Sequence, residues 1–360
     1  MQISSDKTMT VLPQNSQFAG PPGLWIRASA SPELGFGHLR RSLVLAEALK
    51  DCCTPLFLVD PDDFWSKTHI ENANHNCFNG GMERAWESHP DPAAILIDTR
   101  LAGGLDRLIA EAKTRRIPVI SIHDLGLNML PSDIIVDGSI AAADRGVTHV
   151  HAEYYSGTDY MVLSPAYRCI YLQSKPIREK IRSIFINLGG GNSGKYFSRV
   201  LEGLRLWDRE VEVIGVPGFT AWGQELLAQK NWSPLHFRWE NQDIEQTLFH
   251  SDLAITSGGI AAYEALCAGT PLLALSYDHL QQITIRRLAN LETCIDLGLG
   301  DELDPAKLAG TLSPIEADVD KRRRFSCHGR QIVDGEGFAR VAQIIRQSIP
   351  QNLRQIGRGC

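Results

Sequence analysis

The chain has 360 residues, 43% of them apolar and 22% charged, with a formal net charge of −6. That length fits roughly two domains with a sizeable core, at about 100–200 residues per domain. The acidic balance argues against a nucleic-acid partner, which demands a clustered basic face, and no apolar run reaches the roughly eighteen residues of a membrane span.

In chain order, the stretch MQISSDKTMTVLPQNSQFAG lacks a basic n-region and an apolar h-region, so residues 1–22 read as a disordered leader rather than a signal peptide. The eight cysteines include the adjacent Cys52–Cys53 but no C-x-x-C pair and no zinc spacing. They predict reduced thiols and a cytoplasmic protein. From Leu24 onward, strand-like runs alternate with helical patterns: LWIRAS, TPLFLVD, AAILID, PVISIHD and DIIVDGS form a first set within residues 23–175. A second set, RSIFINLGGG, VEVIGVPG, LHFRW, LAITSGG and PLLALS, lies within 181–330, after the connection YLQSKPIREK. Such alternation predicts an α/β protein of two doubly wound parallel-sheet domains, with the polar strand ends facing a cleft. The pattern FARVAQIIRQ predicts an amphipathic helix within 331–348 that packs back across the domains, followed by a tail at 349–360.

Three glycine-bearing strand-to-helix junctions stand out. In GFGHLRRSLVLAEAL, Leu39, Leu43, Ala46 and Leu49 line one helical face, which places His38 in the first turn. Unpaired N–H groups at that helix start, bared by Gly35 and Gly37, suit an anion. The second junction, GGGNSGK at 189–195, lacks the P-loop spacing, and the third is SGGIAAYEAL at 257–266. There Gly258 and Gly259 open a helix, Gly269 ends it and Pro271 precedes the next strand. DPDD at 60–63 and DVD at 318–320 read as caps or turns rather than metal ligands, and KRRR at 321–324 reads as a solvated helix face.

The segment 255–282 resembles the nucleotide-binding segment of GT-B fold enzymes of the MurG type. The front of the chain resembles the UDP-sugar hydrolases of pseudaminic-acid biosynthesis and their spore-coat relatives, with Arg27, Gly35, Gly37, His38 and Arg41 on the pattern and the likeness running through residues 24–348. The resemblance implies a GT-B architecture and a UDP-sugar partner, with no metal and no cofactor. It implies His38 as catalytic base and Gly189, Gly190, Gly258, Gly259, Glu264, Gln281 and Gln282 on the nucleotide, Glu264 taking the ribose diol. It further implies Gly35, Gly37, Arg41, Asp98, Arg100, His123, Asp124 and Asn192 around the sugar.

Departures from the pattern are Ser29, Arg100, His123, Asn192 and Ser164, several of which replace acids or an aromatic ring. Either the pocket takes an acidic sugar or acceptor, or these side chains pair with Asp98 or Asp124 and restore local neutrality. The activity expected is inverting hydrolysis of a UDP-linked modified amino sugar. The alternatives are glycosyl transfer to a hydroxyl acceptor, and nucleotide-sugar binding without turnover.

Overall fold

The computed structural model describes residues 21–31, 35–99, 103–123, 130–142, 152–189, 193–216 and 232–350. The leader before residue 21, the tail beyond 350, and Arg100, Asp124, Gly190 and Asn192 lie outside the described residues.

Two all-parallel sheets organise the chain. The first contains β1 (Gly23–Ala28), β2 (Thr54–Leu58), β3 (Asn76–Phe78), β4 (Ala94–Asp98), β5 (Val119–Ile122), β6 (Ile134–Asp137) and β7 (Glu153–Ser156), in spatial order β3-β2-β1-β4-β5-β6-β7. The second contains β8 (Ser183–Asn187), β9 (Val211–Gly215), β10 (Leu235–Trp239), β11 (Leu253–Ser257), β12 (Leu272–Ser276) and β13 (Cys294–Leu299), in order β10-β9-β8-β11-β12-β13. Both orders run outward from the first strand of the sheet and then reverse, as in the Rossmann fold. The reversal leaves a crevice beyond the carboxyl ends of β1 and β4 in one sheet and of β8 and β11 in the other. The central strands are buried on both faces, which is why their sequences are largely apolar, with the polar members Arg27, Asp98, Thr256 and Ser257 towards their carboxyl ends.

The predicted punctuation holds. Helix α1 (Gly37–Leu49) begins at the glycine turn, Asp63 caps α2 (Phe64–Asn72) by accepting the Ser66 amide at 2.9 Å, and Asp318 caps the helix Val319–Ile332 through the Lys321 amide at 2.8 Å. Gly269, with φ of +70°, closes the helix Ile260–Ala268 just before β12. Among the described residues before β10, the remaining α-helices are α3 (Gly81–Ser88), α4 (Leu105–Thr114), α5 (Pro165–Tyr171) and α6 (Gly194–Trp207).

Three placements differ from the sequence reading. Helix α5 falls inside 23–175, yet Tyr167 and Ile170 belong to the second core with Tyr263, Leu266 and Phe249, so the chain enters the second domain before the connecting stretch. Second, KRRR is not wholly a solvated face. Arg322 is fully buried and donates to the carbonyls of Ile315, Arg178, Glu179 and Glu316, pinning the interdomain connection to the second domain. Third, β3, β7 and β13 complete the sheets at or near their edges and were absent from the predicted runs.

The helix Gly337–Ser348 packs against the first domain. Val341, Ala342 and Ile345 enter the core that also holds Leu45, Ala46 and Leu49 of α1, and Arg346 donates to the Ala48 carbonyl at 2.6 Å. Gly337 makes that return possible, because a Cβ there would stand 2.1 Å from the Met161 carbonyl oxygen. Gly337→Ala is therefore expected to lower the melting temperature and loosen this helix. Gly310→Ala, in the helix Pro305–Ala317 with open space around it, should raise stability by about 0.5–1 kcal/mol. Thermal melts of the two variants check both signs. Among the described residues no helix is long and apolar enough to cross a membrane, and Cys52, Cys53, Cys77, Cys169, Cys267, Cys294 and Cys327 are free thiols.

Candidate active site at the strand-order reversals

Helix α1 starts at the reversal point of the first sheet. Gly35, with φ of +78°, turns the chain, and His38 is the second helical residue. The buried stripe of α1 is His38, Arg41, Ser42, Leu45 and Leu49, at helical spacing but with three polar members. A buried arginine on such a stripe requires an acid, and β4 supplies it. The Asp98 carboxylate has no solvent exposure and receives Arg41 in a fork, Nε to Oδ2 and Nη2 to Oδ1, both at 2.6 Å. His38 Nδ1 lies 2.7 Å from Asp98 Oδ1, and Ser42 Oγ donates to Oδ2 at 3.4 Å.

A carboxylate oxygen can only accept, so Nδ1 of His38 carries the proton and the lone pair of the ring lies on Nε2. Arg41 Nη2, 3.1 Å from the same Nδ1, is then a close neighbour and not a donor to it. Burial pushes the Asp98 carboxyl upward, but Arg41 and His38 outweigh it and hold it below its ordinary value of 3.8. The stability this carboxylate contributes is accordingly present above pH 3.8 and is lost as pH falls through the lowered value. Asp98→Asn is expected to cost about 3–5 kcal/mol of stability, since it strands Arg41 in a buried site. Urea unfolding at pH 7 measures this.

The facing junction begins at Gly259, the N-cap of the helix Ile260–Ala268. The two glycines there differ in use. A Cβ on Gly258 would press on Ile285 at 2.9 Å and on Gln281 at 3.1 Å, so this glycine admits the helix His279–Asn290. Gly259 is half-buried, and a Cβ there would meet only ordinary contact with Ser257 Oγ at 4.0 Å among the described residues outside its own turn. Gly189, with φ of +83°, follows β8, and a Cβ there would lie 3.6 Å from the Ser257 hydroxyl. Gln281 is buried, its side-chain oxygen accepting the Tyr277 amide at 3.1 Å, whereas Gln282 is half-exposed.

The helix starts of the two domains meet. A methyl group on Gly37 would lie 3.2 Å from Ile260 Cδ1, so this glycine serves the approach of the two domains as well as any ligand. The Ile140 amide donates to the Tyr263 hydroxyl at 3.0 Å, and Arg287 donates to the Ile140 carbonyl at 3.3 Å.

Glu264 is the most unusual group on this side. It is 5% exposed, and among the described residues its carboxylate forms no ion pair. Burial raises its pKa above 4.5, opposed by the charge of Arg40 across the cleft. The fully buried Tyr167 hydroxyl lies beside the Glu264 carboxyl and, like Arg40, acts to lower its pKa.

The sequence-predicted residues thus fall into two groups. Gly35, Gly37, His38, Arg41 and Asp98 meet at one reversal, and Gly189, Gly258, Gly259, Glu264, Gln281 and Gln282 lie around the other. His38 was expected to act on a substrate and Asp98 to touch it, but both oxygens of Asp98 are taken by His38, Arg41 and Ser42. His123 ends β5, buried, with Nε2 3.0 Å from Ser121 Oγ. Sequence reasoning missed Arg40 and Tyr167. The doubled arginine in HLRR is a usable signal, because neighbours on a helix point about 100° apart and cannot share one partner.

No family model matches the chain. It is 26% identical over 343 residues to the spore coat polysaccharide biosynthesis protein SpsG of Bacillus subtilis (strain 168), spanning 91% of this chain and 99% of that one. Among solved structures it resembles MurG of Acinetobacter baumannii, with a TM-score of 0.65 and 13% identity over 91% of this chain and 100% of that one. It also resembles Anabaena Alr3699/HepE, solved in complex with UDP and glucose, with a TM-score of 0.60 and 14% identity over 91% and 99% of the two chains. The chain is therefore SpsG-like in sequence over nearly its whole length, and GT-B in fold.

Proposed function

We propose that this protein cleaves a UDP-sugar at the anomeric carbon, with His38 as general base. The observation that carries this reading is the Asp98–His38 hydrogen bond at 2.7 Å, locked by Arg41 at a strand-order reversal and facing a glycine-opened helix start. A base must present a lone pair in fixed orientation, and Asp98 fixes the ring through Nδ1. The O–H of the nucleophile gives its proton to Nε2, its oxygen bonds to the anomeric carbon, and the bond from that carbon to the diphosphate breaks with its electron pair leaving on UDP. Attack opposite the leaving group inverts configuration. The first-turn amides after Gly259, with Gly189 and Gly190, offset the charge that develops on the diphosphate. Glu264 accepts from the ribose hydroxyls, and Gln281 and Gln282 complete the nucleotide side. SpsG similarity over 91% of the chain supports nucleotide-sugar chemistry, and HepE binds UDP in the same fold.

With water as nucleophile the enzyme is a hydrolase of a UDP-linked amino sugar. The family resemblance assigns Arg100, His123 and Asn192 to the sugar; either they favour an acidic substituent on it or on an acceptor, or they pair with Asp98 or Asp124 and restore neutrality. A panel of UDP-sugars scored for UDP release tests the reading. Release without any acceptor is expected, release only with a hydroxyl acceptor assigns glycosyl transfer instead, and tight UDP binding with no release under either condition removes the catalytic reading.

A further inference from the structure

Cys52 and Cys53 are neighbours in the chain, and their sulfurs stand 3.6 Å apart in the turn that follows α1. The two thiols differ in setting. Cys53 is 2% exposed within the first core, where burial, and next the adjacent Cys52, pushes its pKa up. Cys52 is half-exposed, and its thiol donates to the Leu49 carbonyl at 3.4 Å. That carbonyl also accepts the amides of Cys52 and Cys53, at 3.0 and 2.9 Å, so the turn hangs on one backbone oxygen. The helix Gly337–Ser348 docks on the same turn. Arg346 donates to Asp51 Oδ1 at 2.8 Å and to the Ala48 carbonyl, and its guanidinium lies beside the Cys52 sulfur as well. Val341 and Ile345 share the core cluster with Cys53.

A solvent-reachable sulfur in contact with a second thiol can be oxidised and then resolved without help from another chain. We infer that Cys52 and Cys53 form a peroxide-reactive modification site whose closure to a disulfide releases the helix Gly337–Ser348. The Cys52 thiolate attacks the peroxide O–O bond, keeping one oxygen as a sulfenic acid while hydroxide departs and takes up the proton that Cys52 gave away. Cys53 then attacks that sulfur. The S–S bond forms, the S–O bond breaks, and the leaving oxygen takes the Cys53 proton, so two thiols are oxidised and one peroxide becomes two waters. Closing the sulfurs from 3.6 Å to a bond of about 2.05 Å draws Cys52 off the Leu49 carbonyl and away from Arg346. The turn that presents Asp51 and Ala48 to the returning helix is thereby reshaped. Adjacent Cα atoms lie about 3.8 Å apart, inside the roughly 4.4 Å at which disulfides usually begin. The ring is therefore strained, and a free thiol reopens it.

Hydrogen peroxide added to the full chain, followed by peptide mapping and amide hydrogen exchange, tests it. Mass spectrometry is expected to find Cys52 joined to Cys53, with dithiothreitol restoring both thiols. Exchange within 337–348 should quicken about tenfold in the oxidised chain and recover with the reductant. Phenylarsine oxide, whose arsenic bridges two neighbouring thiolates, should bind the reduced chain. Cys52→Ser, a change at the half-exposed position, should remove both the disulfide and the arsenical binding, and Arg346→Gln should quicken exchange of the same helix with no oxidant present. Oxidation that stops at a sulfinic acid on Cys52, or disulfides that run instead to Cys77, Cys169 or Cys327, overturns the site. Exchange within 337–348 that is unchanged when Cys52 and Cys53 are joined overturns the release of the helix, and so does a Cys52→Ser chain that still responds to peroxide.

Discussion

His38→Asn lowers turnover by about 10²–10⁴, the usual contribution of a positioned general base, while UDP affinity stays within a few-fold. The split follows from where each group sits. The imidazole is on α1 in the first domain, held by Asp98, and Glu264 and the glycines proposed to face the nucleotide are in the second. Proton removal matters only as the new bond forms, so its loss falls on kcat, whereas nucleotide binding is already made in the ground state. Steady-state UDP release with isothermal titration of UDP separates the two. Undiminished kcat in this variant removes His38 from the reaction. Asp98→Asn should also slow turnover, but with a fall in stability, because Asp98 additionally neutralises Arg41.

The second large effect is a trade between stability and binding at Glu264. A carboxylate this deeply buried has a folded pKa above 4.5, so the fold loses stability as pH rises through that raised value. Glu264→Gln keeps the shape and removes the charge. The ligand-free variant is therefore expected to melt higher than the parent at pH 7, with the difference shrinking towards pH 4. The same variant should bind UDP more weakly by about 1–3 kcal/mol, since ribose hydroxyls lose a charged acceptor, and it should discriminate less between ribo- and deoxyribonucleotides. Melting curves with and without UDP read both quantities. An unchanged UDP shift would make Glu264 a structural residue, and an unchanged ligand-free melting temperature would mean that Arg40 already neutralises it.

Sequence patterning was most informative where burial is strongest. The central strands are buried on both faces, so they appear as largely apolar runs, and the glycine turns after β1, β8 and β11 follow from the need to enter a helix without side-chain obstruction. Three of the four edge strands escaped, β10 being the exception: Glu153–Ser156 has no fully buried residue, and Asn76–Phe78 is only three residues long. The candidate site was legible residue by residue but not in its partnerships. His38, Arg41 and Asp98 all stood out, yet the hydrogen bonds that turn Asp98 from a substrate ligand into the brace of His38 cross 60 residues of chain, a separation that no local periodicity reports. Arg322 was misread for a related reason. Its four carbonyl partners lie on the interdomain connection and a neighbouring helix end, and a run of like charges gives no hint that one member turns inward.

The returning helix Gly337–Ser348 couples the order of synthesis to the order of folding. Arg346 reaches the carbonyl of Ala48, 298 residues earlier, and Val341 and Ile345 cover apolar surface of a helix that is synthesised before the whole second sheet. Contacts of such separation are slow to form because the intervening chain must first be ordered. The amino-terminal half therefore waits, with Leu45 and Leu49 incompletely covered, until the second sheet has been made. A nascent chain halted near residue 336 would hold a finished carboxyl-terminal core and an open amino-terminal one, the reverse of the usual vectorial sequence. Chaperone engagement during translation should accordingly concentrate on α1, the very helix that carries His38.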